Sequence, residues 1–255
     1  MPKRRVRQRK DLAEPEHHME MEVTKKKGFS LEFLNPFQRS CWETIARNHV
    51  VFLIGTAGTG KSFLATAFAI HSALENKTQK IIITRPIVEA GERLGFLPGS
   101  FEEKVHPFML PLYDALDDLV GKENAQRKYI DKGVEVAPIA YLRGRTLKNA
   151  VCILDEAQNT TPEQMKMFLT RIGFGAKAVV TGDVSQIDLP KGQLSGLIDA
   201  ERVLRRVKGI AMTRFSSADV VRHPLVARIV DAYDAGGASL PPSPRRTNRT
   251  LPLAD

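Results

Sequence analysis

Residues 50–70 read VVFLIGTAGTGKSFLATAFAI. Val50 to Ile54 are apolar at successive positions, the pattern of a strand covered on both faces. They run into Gly55-Thr56-Ala57-Gly58-Thr59-Gly60-Lys61-Ser62, after which the apolar spacing becomes that of a helix. A GxxxxGK[ST] string between strand and helix is a phosphate-binding loop. Its glycines let successive backbone N–H groups curl around an anion, and the helix N-terminus adds partial positive charge. The pattern assigns all eight residues to nucleotide binding. Lys61 reaches the β- and γ-phosphates and takes part in catalysis, and the Ser62 hydroxyl holds Mg²⁺.

Outward from this stretch, short apolar runs alternate with helical patterns. Strands are predicted at Val50 to Ile54, Ile81 to Thr84, Val134 to Ala137, Val151 to Leu154, Ala178 to Thr181 and Gly209 to Met212. Helices are predicted over 61–76, 101–119, 162–172 and 193–207. Leu225, Val226, Ile229, Val230 and Tyr233 mark one face of a last helix, stopped by Gly236. The alternation predicts an α/β fold: a doubly wound, mainly parallel sheet with helices on both faces.

Two further strand ends carry polar groups. VCILDEAQN (151–159) delivers Asp155 and Glu156 to the carboxyl end of a strand, where ligands of such sheets bind. Asp155 suits Mg²⁺, directly or through water, and Glu156 suits the general base acting on the water that attacks the γ-phosphate. Thr161-Pro162-Glu163-Gln164 supplies the next helix with its own cap, so the acids are not needed there. AVVTGDVSQIDLP (178–190) ends a strand with Thr181, Gly182, Asp183 and then Gln186, placed to sense hydrolysis of the γ-phosphate. Upstream, Asn35-Pro36-Phe37-Gln38 admits two readings. Gln38 can read the edge of adenine, as glutamine does in DNA recognition, or it can fold back to complete a capping box on Asn35.

Composition bounds the rest. The chain has 255 residues, 42% hydrophobic and 26% charged, enough for one large core. No uncharged apolar run approaches the ~20 residues of a membrane span, and the N-terminus lacks a signal-like apolar segment, so the expected address is the cytoplasm. Cys41 and Cys152 form no CxxC pair, which argues against a disulfide framework and a zinc site. Residues 1–27 carry nine basic and five acidic side chains and read as a disordered basic tail. Residues 236–255, rich in Pro and Gly at their start, read as a second one. Together the tails hold most of the net charge of +9. They can attract nucleic acid through counterion release, or serve only as solvated ends. Residues 28–235 are left as a single expected domain.

With these strings in place, the sequence resembles the PhoH-like family of P-loop ATPases, related to the first motor domain of superfamily 1 helicases. GTAGTGKSFLA, IIITRPIVEAGERLGFLPGS, the run from APIAYLRGRT to SQIDLP, and DVVRHPLVARIVDAY carry the resemblance, which spans about Asn35 to Tyr233. It implies a RecA-like fold, ATP and Mg²⁺ as ligands, a role in RNA or DNA metabolism, and an association with phosphate starvation. Longer relatives carry an additional N-terminal domain, and another branch a PIN-type nuclease. Neither is expected here, so nuclease activity is not carried over.

No second RecA-like domain is expected after Tyr233, whereas related motors bind ATP between two lobes and use an arginine from the second. A head-to-tail homo-oligomeric ring, six-membered by expectation, would complete the site. Arg222, Arg171, Arg143 and Arg145 are its candidate fingers, each equally readable as a surface or ion-paired arginine. Within 84–100, Arg85 and Arg93 are candidate contacts to a single RNA or DNA strand, or partners of Glu89 and Glu92 in a packing loop. The expected function is Mg²⁺-dependent ATP hydrolysis coupled to single-stranded RNA or DNA in a helicase-like motor. The alternative is an ATP-dependent switch acting on a protein partner. The absence of an NKxD string disfavours a GTPase, and Glu156 beside Asp155 disfavours a small-molecule kinase.

Overall fold

The computed structural model describes residues 22–26, 29–87 and 133–220, with scattered helical positions between 106 and 119 and at 225 and 229. The strands β1 (Glu22–Lys26) and β2 (Phe29–Glu32) pair antiparallel as a separate two-stranded sheet. Five residues expected in a disordered tail are therefore strand, a correction with a local cause. Leu31 of β2 is anchored in the core and pairs in register with the β-branched Val23, which overrides the charged composition around it.

Helix α1 (Pro36–Arg47) leads into β3 (Val50–Ile54), and α2 (Lys61–Leu74) into β4 (Lys80–Arg85). There follow β5 (Val134–Pro138), β6 (Ala150–Leu154), α3 (Pro162–Leu169), β7 (Lys177–Gly182), α4 (Gly196–Leu204) and β8 (Ile210–Arg214). Six strands form one sheet in the order β5-β4-β6-β7-β3-β8, with every pairing parallel. This is the doubly wound RecA-like P-loop arrangement. Each predicted strand is present.

Alternate strand residues build two separate cores, which explains the continuous apolar runs. Val51, Leu53, Ile81, Ile83, Val151, Ile153 and Val179 face α1 and α2. Phe52, Ile54, Ile82, Cys152, Leu154, Ala178 and Val180 face α3 and α4, meeting Met165, Phe168, Leu197 and Ala200. Each large side chain removed from water in this way contributes about 1.5–3 kcal/mol before entropy is counted. α3 begins in the predicted capping box, Thr161 accepting from the Gln164 backbone and Gln164 accepting from that of Thr161.

The chain divides at Val220, inside the expected 28–235 domain, into units 1–220 and 221–255. In the second unit Leu225 and Ile229 are helical. Both belong to the face predicted for the last helix; Val226, Val230 and Tyr233 lie outside the described residues, as do Arg93 and Arg222. Among the described residues no helix is long and apolar enough to cross a membrane.

Candidate nucleotide-binding site

The strand order positions the site. β7 lies between β3 and β6, so the carboxyl end of β7 separates the phosphate loop from the acidic pair. The loop opens at Gly55, whose N–H donates to the carbonyl of Gly182 at 3.1 Å. A Cβ at Gly55 would stand 2.6 Å from the Phe215 Cβ and 2.8 Å from its carbonyl oxygen, so only glycine fits beneath the β8 end. Gly60 caps α2 at φ 78°, a left-handed conformation that disfavours other residues.

Lys61 is buried, with 8% of its surface exposed, and folds onto its own loop. Its Nζ donates to the Thr56 carbonyl at 2.7 Å and to Thr59 Oγ1 at 3.3 Å. Ser62 Oγ donates to Asp155 Oδ1 at 2.6 Å, and Thr181 Oγ1 donates to the same oxygen at 2.5 Å. Arg85 Nη2 donates to Asp155 Oδ2 at 2.6 Å and lies 3.8 Å from Glu156 Oε1. Burial pushes the Asp155 carboxyl up. The charge of Arg85 and the hydrogen bonds from Ser62, Thr181 and Arg85 outweigh that and hold it below the ordinary carboxylate range. Asp155 is thus the ionised centre of the site.

Glu156 has φ 52° and ψ 38°, a left-handed conformation costing a non-glycine residue about 1–3 kcal/mol. The surroundings that hold it include Gln158, which sequence reasoning missed as a site residue. This fully buried side chain donates from Nε2 to Glu156 Oε2 at 2.6 Å and to the Gln186 carbonyl at 3.1 Å. Its Oε1 accepts from the Asp183 backbone N–H at 3.0 Å. Asp183 in turn accepts from the Ala57 N–H at 2.9 Å, tying the end of β7 to the phosphate loop. A buried polar side chain must find partners, and Gln158 finds one in the acidic motif and two at the end of β7.

A cavity of about 270 Å³ lies among the loop residues Ala57, Gly58 and Gly60, the acids Asp155 and Glu156, and Gln186. The side chain of Gln186 is exposed at this cavity. The donor set fits Mg²⁺: a hydroxyl and a carboxylate oxygen, both hard ligands. Among the described residues no group of three or more His, Cys, Asp or Glu side chains could hold a metal, so a cation here needs phosphate oxygens and water as well.

The remaining expected site residues divide. The Asn35 side chain accepts from the Gln38 N–H at 2.9 Å, as a cap should, yet Gln38 does not complete the box. Its Oε1 accepts from the Leu34 N–H at 3.0 Å, and its Nε2 points to the Thr59 carbonyl at 3.4 Å, placing Gln38 against the phosphate loop. Arg85, expected to face a nucleic-acid strand, instead turns into the acidic pair with 16% of its side chain exposed. β4 pairs with β6 in register, so its end lies beside Asp155. Arg145 is committed to a two-pronged pair with Glu135, Nη2 donating to Oε2 at 2.7 Å. Arg143 is exposed. Arg171 follows α3 near the start of β7, at the sheet end opposite the phosphate loop, with Nη2 3.4 Å from Thr170 Oγ1.

Comparison with known proteins shows the family. A family model described as PhoH-like protein matches residues 30–234. A PhoH-like protein of Bacillus subtilis (strain 168) is 56% identical over 217 residues, covering 84% of this chain and 68% of its own. A PhoH-like protein of Synechocystis sp. is 53% identical over 208 residues, covering 82% and 63%. Protein PhoH of Escherichia coli (strain K12) is 44% identical over 202 residues, covering 78% and 57%. The chain therefore spans 57–68% of the length of these three relatives. Among solved structures, Pif1 helicase from Candida albicans aligns with a TM-score of 0.43 at 15% identity, covering 80% of this chain and 44% of its own. A Sulfolobus solfataricus SWI2/SNF2 ATPase core in complex with dsDNA aligns at 0.47 and 12% identity, covering 84% and 56%.

Proposed function

The chain belongs to the PhoH-like protein family, and from that premise and the site geometry we propose that it binds ATP with Mg²⁺ and hydrolyses it in the cytoplasm, coupling turnover to single-stranded RNA or DNA. One observation carries the reading: Ser62 of the phosphate loop and Asp155 of β6 meet at 2.6 Å, with Glu156 beside them on the cavity. Loop amides and Lys61 would take the phosphates, Lys61 exchanging the Thr56 carbonyl for a phosphate oxygen. Ser62 and Asp155 would hold Mg²⁺, which would supply positive charge against the phosphates. Gln158 holds Oε2 of Glu156, leaving Oε1 to accept the proton of the attacking water. Gln38 would read adenine only by giving up the Leu34 N–H and the Thr59 carbonyl that its side chain now meets.

Among the described residues lining the cavity, Lys61 is the only basic one. Charge developing on the γ-phosphate would use a second cation, which favours a head-to-tail ring of six copies with an arginine contributed in trans. Arg171 and Arg143 remain candidates, with Arg222, whereas Arg145 would first have to leave Glu135. The basic excess in the two tails supports a nucleic-acid partner.

The test is ATP turnover by the full chain with and without poly(U) and single-stranded DNA, alongside a solution mass measurement. Stimulation by either polymer supports the coupled motor. Basal turnover untouched by both would reassign the protein as an ATP-dependent switch on a protein partner. Absence of nucleotide binding would end the reading, and a monomer with concentration-independent turnover would remove the ring.

A further inference from the structure

Asp155 is an anion with 2% of its surface exposed. A carboxylate so far from water needs a countercharge and hydrogen bonds to every lone pair it can satisfy. Oδ1 is covered by the hydroxyls of Ser62 and Thr181. Oδ2 is covered by Arg85, at 2.6 Å. The donor set around Asp155 is too small to keep a divalent cation without phosphate oxygens, since no cluster of three ligating side chains exists among the described residues. Between one nucleotide and the next, the buried charge must therefore be balanced from within the protein.

We propose that Arg85 is the resident counter-ion of the nucleotide site, neutralising Asp155 while no divalent cation is bound and competing with that cation for Oδ2. The inference rests on the reading of Asp155 as the carboxylate that serves Mg²⁺. Arg85 ends β4, whose Thr84 lies in register with Leu154, so the guanidinium is delivered by a strand rather than a loop. Glu156 Oε1 lies 3.8 Å from the same Nη2, beyond hydrogen-bond distance, and so stays open to the water while Arg85 serves Asp155. Cation loading and the release of Oδ2 by Arg85 become one exchange. Arg85 is on this account a positioning residue, which sets how much Mg²⁺ the site demands.

The test titrates Mg²⁺ against binding of a fluorescent, non-hydrolysable ATP analogue, so that no turnover is involved. Arg85→Gln removes the competitor, and the Mg²⁺ concentration for half-maximal binding should fall about 3- to 10-fold. Arg85→Lys keeps the charge and should stay within about twofold of wild type. In EDTA, Arg85→Gln should lower the melting temperature by several degrees, but have much less effect in an Asp155→Asn background, where the buried anion is gone and only the part-exposed Glu156 remains. An unchanged or raised Mg²⁺ requirement in Arg85→Gln overturns the proposal, as does a melting loss that persists undiminished with Asp155→Asn. Should Arg85→Gln alone fail to fold, recovery in the Arg85→Gln/Asp155→Asn double variant supports the pairing, and failure to recover overturns it. If wild type itself does not bind the analogue, the ATP reading falls instead, while the melting comparison in EDTA still decides whether Arg85 balances Asp155.

Discussion

Gln158 Nε2 and Glu156 Oε2 stand 2.6 Å apart, and the same amide grips the end of β7 through the Asp183 N–H and the Gln186 carbonyl. A left-handed glutamate at the mouth of the cavity is thus tied to a strand that also reaches the phosphate loop through Asp183 and Ala57. Replacing Gln158 with Leu keeps the volume and removes the tie. Nucleotide binding should stay within a few-fold, while turnover falls about tenfold or more, less than the loss of the base itself. The buried Asp183 N–H would lose its partner, so denaturant unfolding should show a cost of about 1–3 kcal/mol. Wild-type turnover in this variant would remove Gln158 from the catalytic arrangement.

Lys61 and Glu156 should fail in different ways. Lys61→Ala deletes the only basic side chain among the described residues lining the cavity and is expected to abolish nucleotide binding. Glu156→Gln keeps the shape and the Gln158 neighbour but removes the proton acceptor. It should bind the nucleotide normally and turn over at least about 10²-fold more slowly. Equilibrium binding and single-turnover measurements on both variants separate the two. Ordinary hydrolysis by Glu156→Gln would show that another group takes the proton.

Much of this site was legible because its residues sit at the ends of uninterrupted apolar runs. Val50 to Ile54, Val151 to Leu154 and Ala178 to Thr181 announced their strands, and the ends of parallel strands share one edge of the sheet. What escaped depended on which strands are neighbours. Arg85 looks like a loop cation until β4 is seen to pair with β6, which turns it toward Asp155. Gln158 is one more polar residue in DEAQN until β7 is inserted between β6 and β3. Gln38 kept its cap in Asn35 but spent its side chain on Leu34 and Thr59, a choice set by where the phosphate loop lies. Val23 hid among charges because its strand pairing comes from Leu31, not from its neighbours.

At the far edge of the sheet, Glu135 of β5 carries a pH-dependent share of stability. The hydrogen bond from Arg145, then burial acting against it, then the charges of Arg145 and Lys80 leave its carboxyl below the ordinary 4.5. A lowered folded value means that the stabilisation is present above the unfolded value and lost as pH falls through the folded one. Both groups are about a third exposed, so the effect is small: Glu135→Gln should cost less than about 1 kcal/mol at neutral pH. Urea unfolding of wild type and variant should show a constant gap from pH 7 to about 5, closing below about 4. A gap that widens on acidification would contradict the sign.

The two cysteines offer a probe of the two cores separately. Cys41 on α1 belongs to the layer containing α2, and Cys152 on β6 to the layer containing α3 and α4. Neither has exposed surface. Burial pushes both thiols up to about 12, with nearby Asp219 adding to the effect at Cys41. At Cys152 the pull of Arg145 downward and the push of Glu135 upward are smaller than burial. At pH 8 the thiolate fraction of each is then only about 10⁻⁴, and the thiolate is the reactive form. Iodoacetamide should therefore leave both unmodified in the native protein over an hour and modify both in denaturant, as read by mass spectrometry. Labelling at intermediate denaturant should be equal if the two layers open together, and should favour one cysteine if its layer opens first. Rapid native labelling of either thiol would show that its layer is not closed.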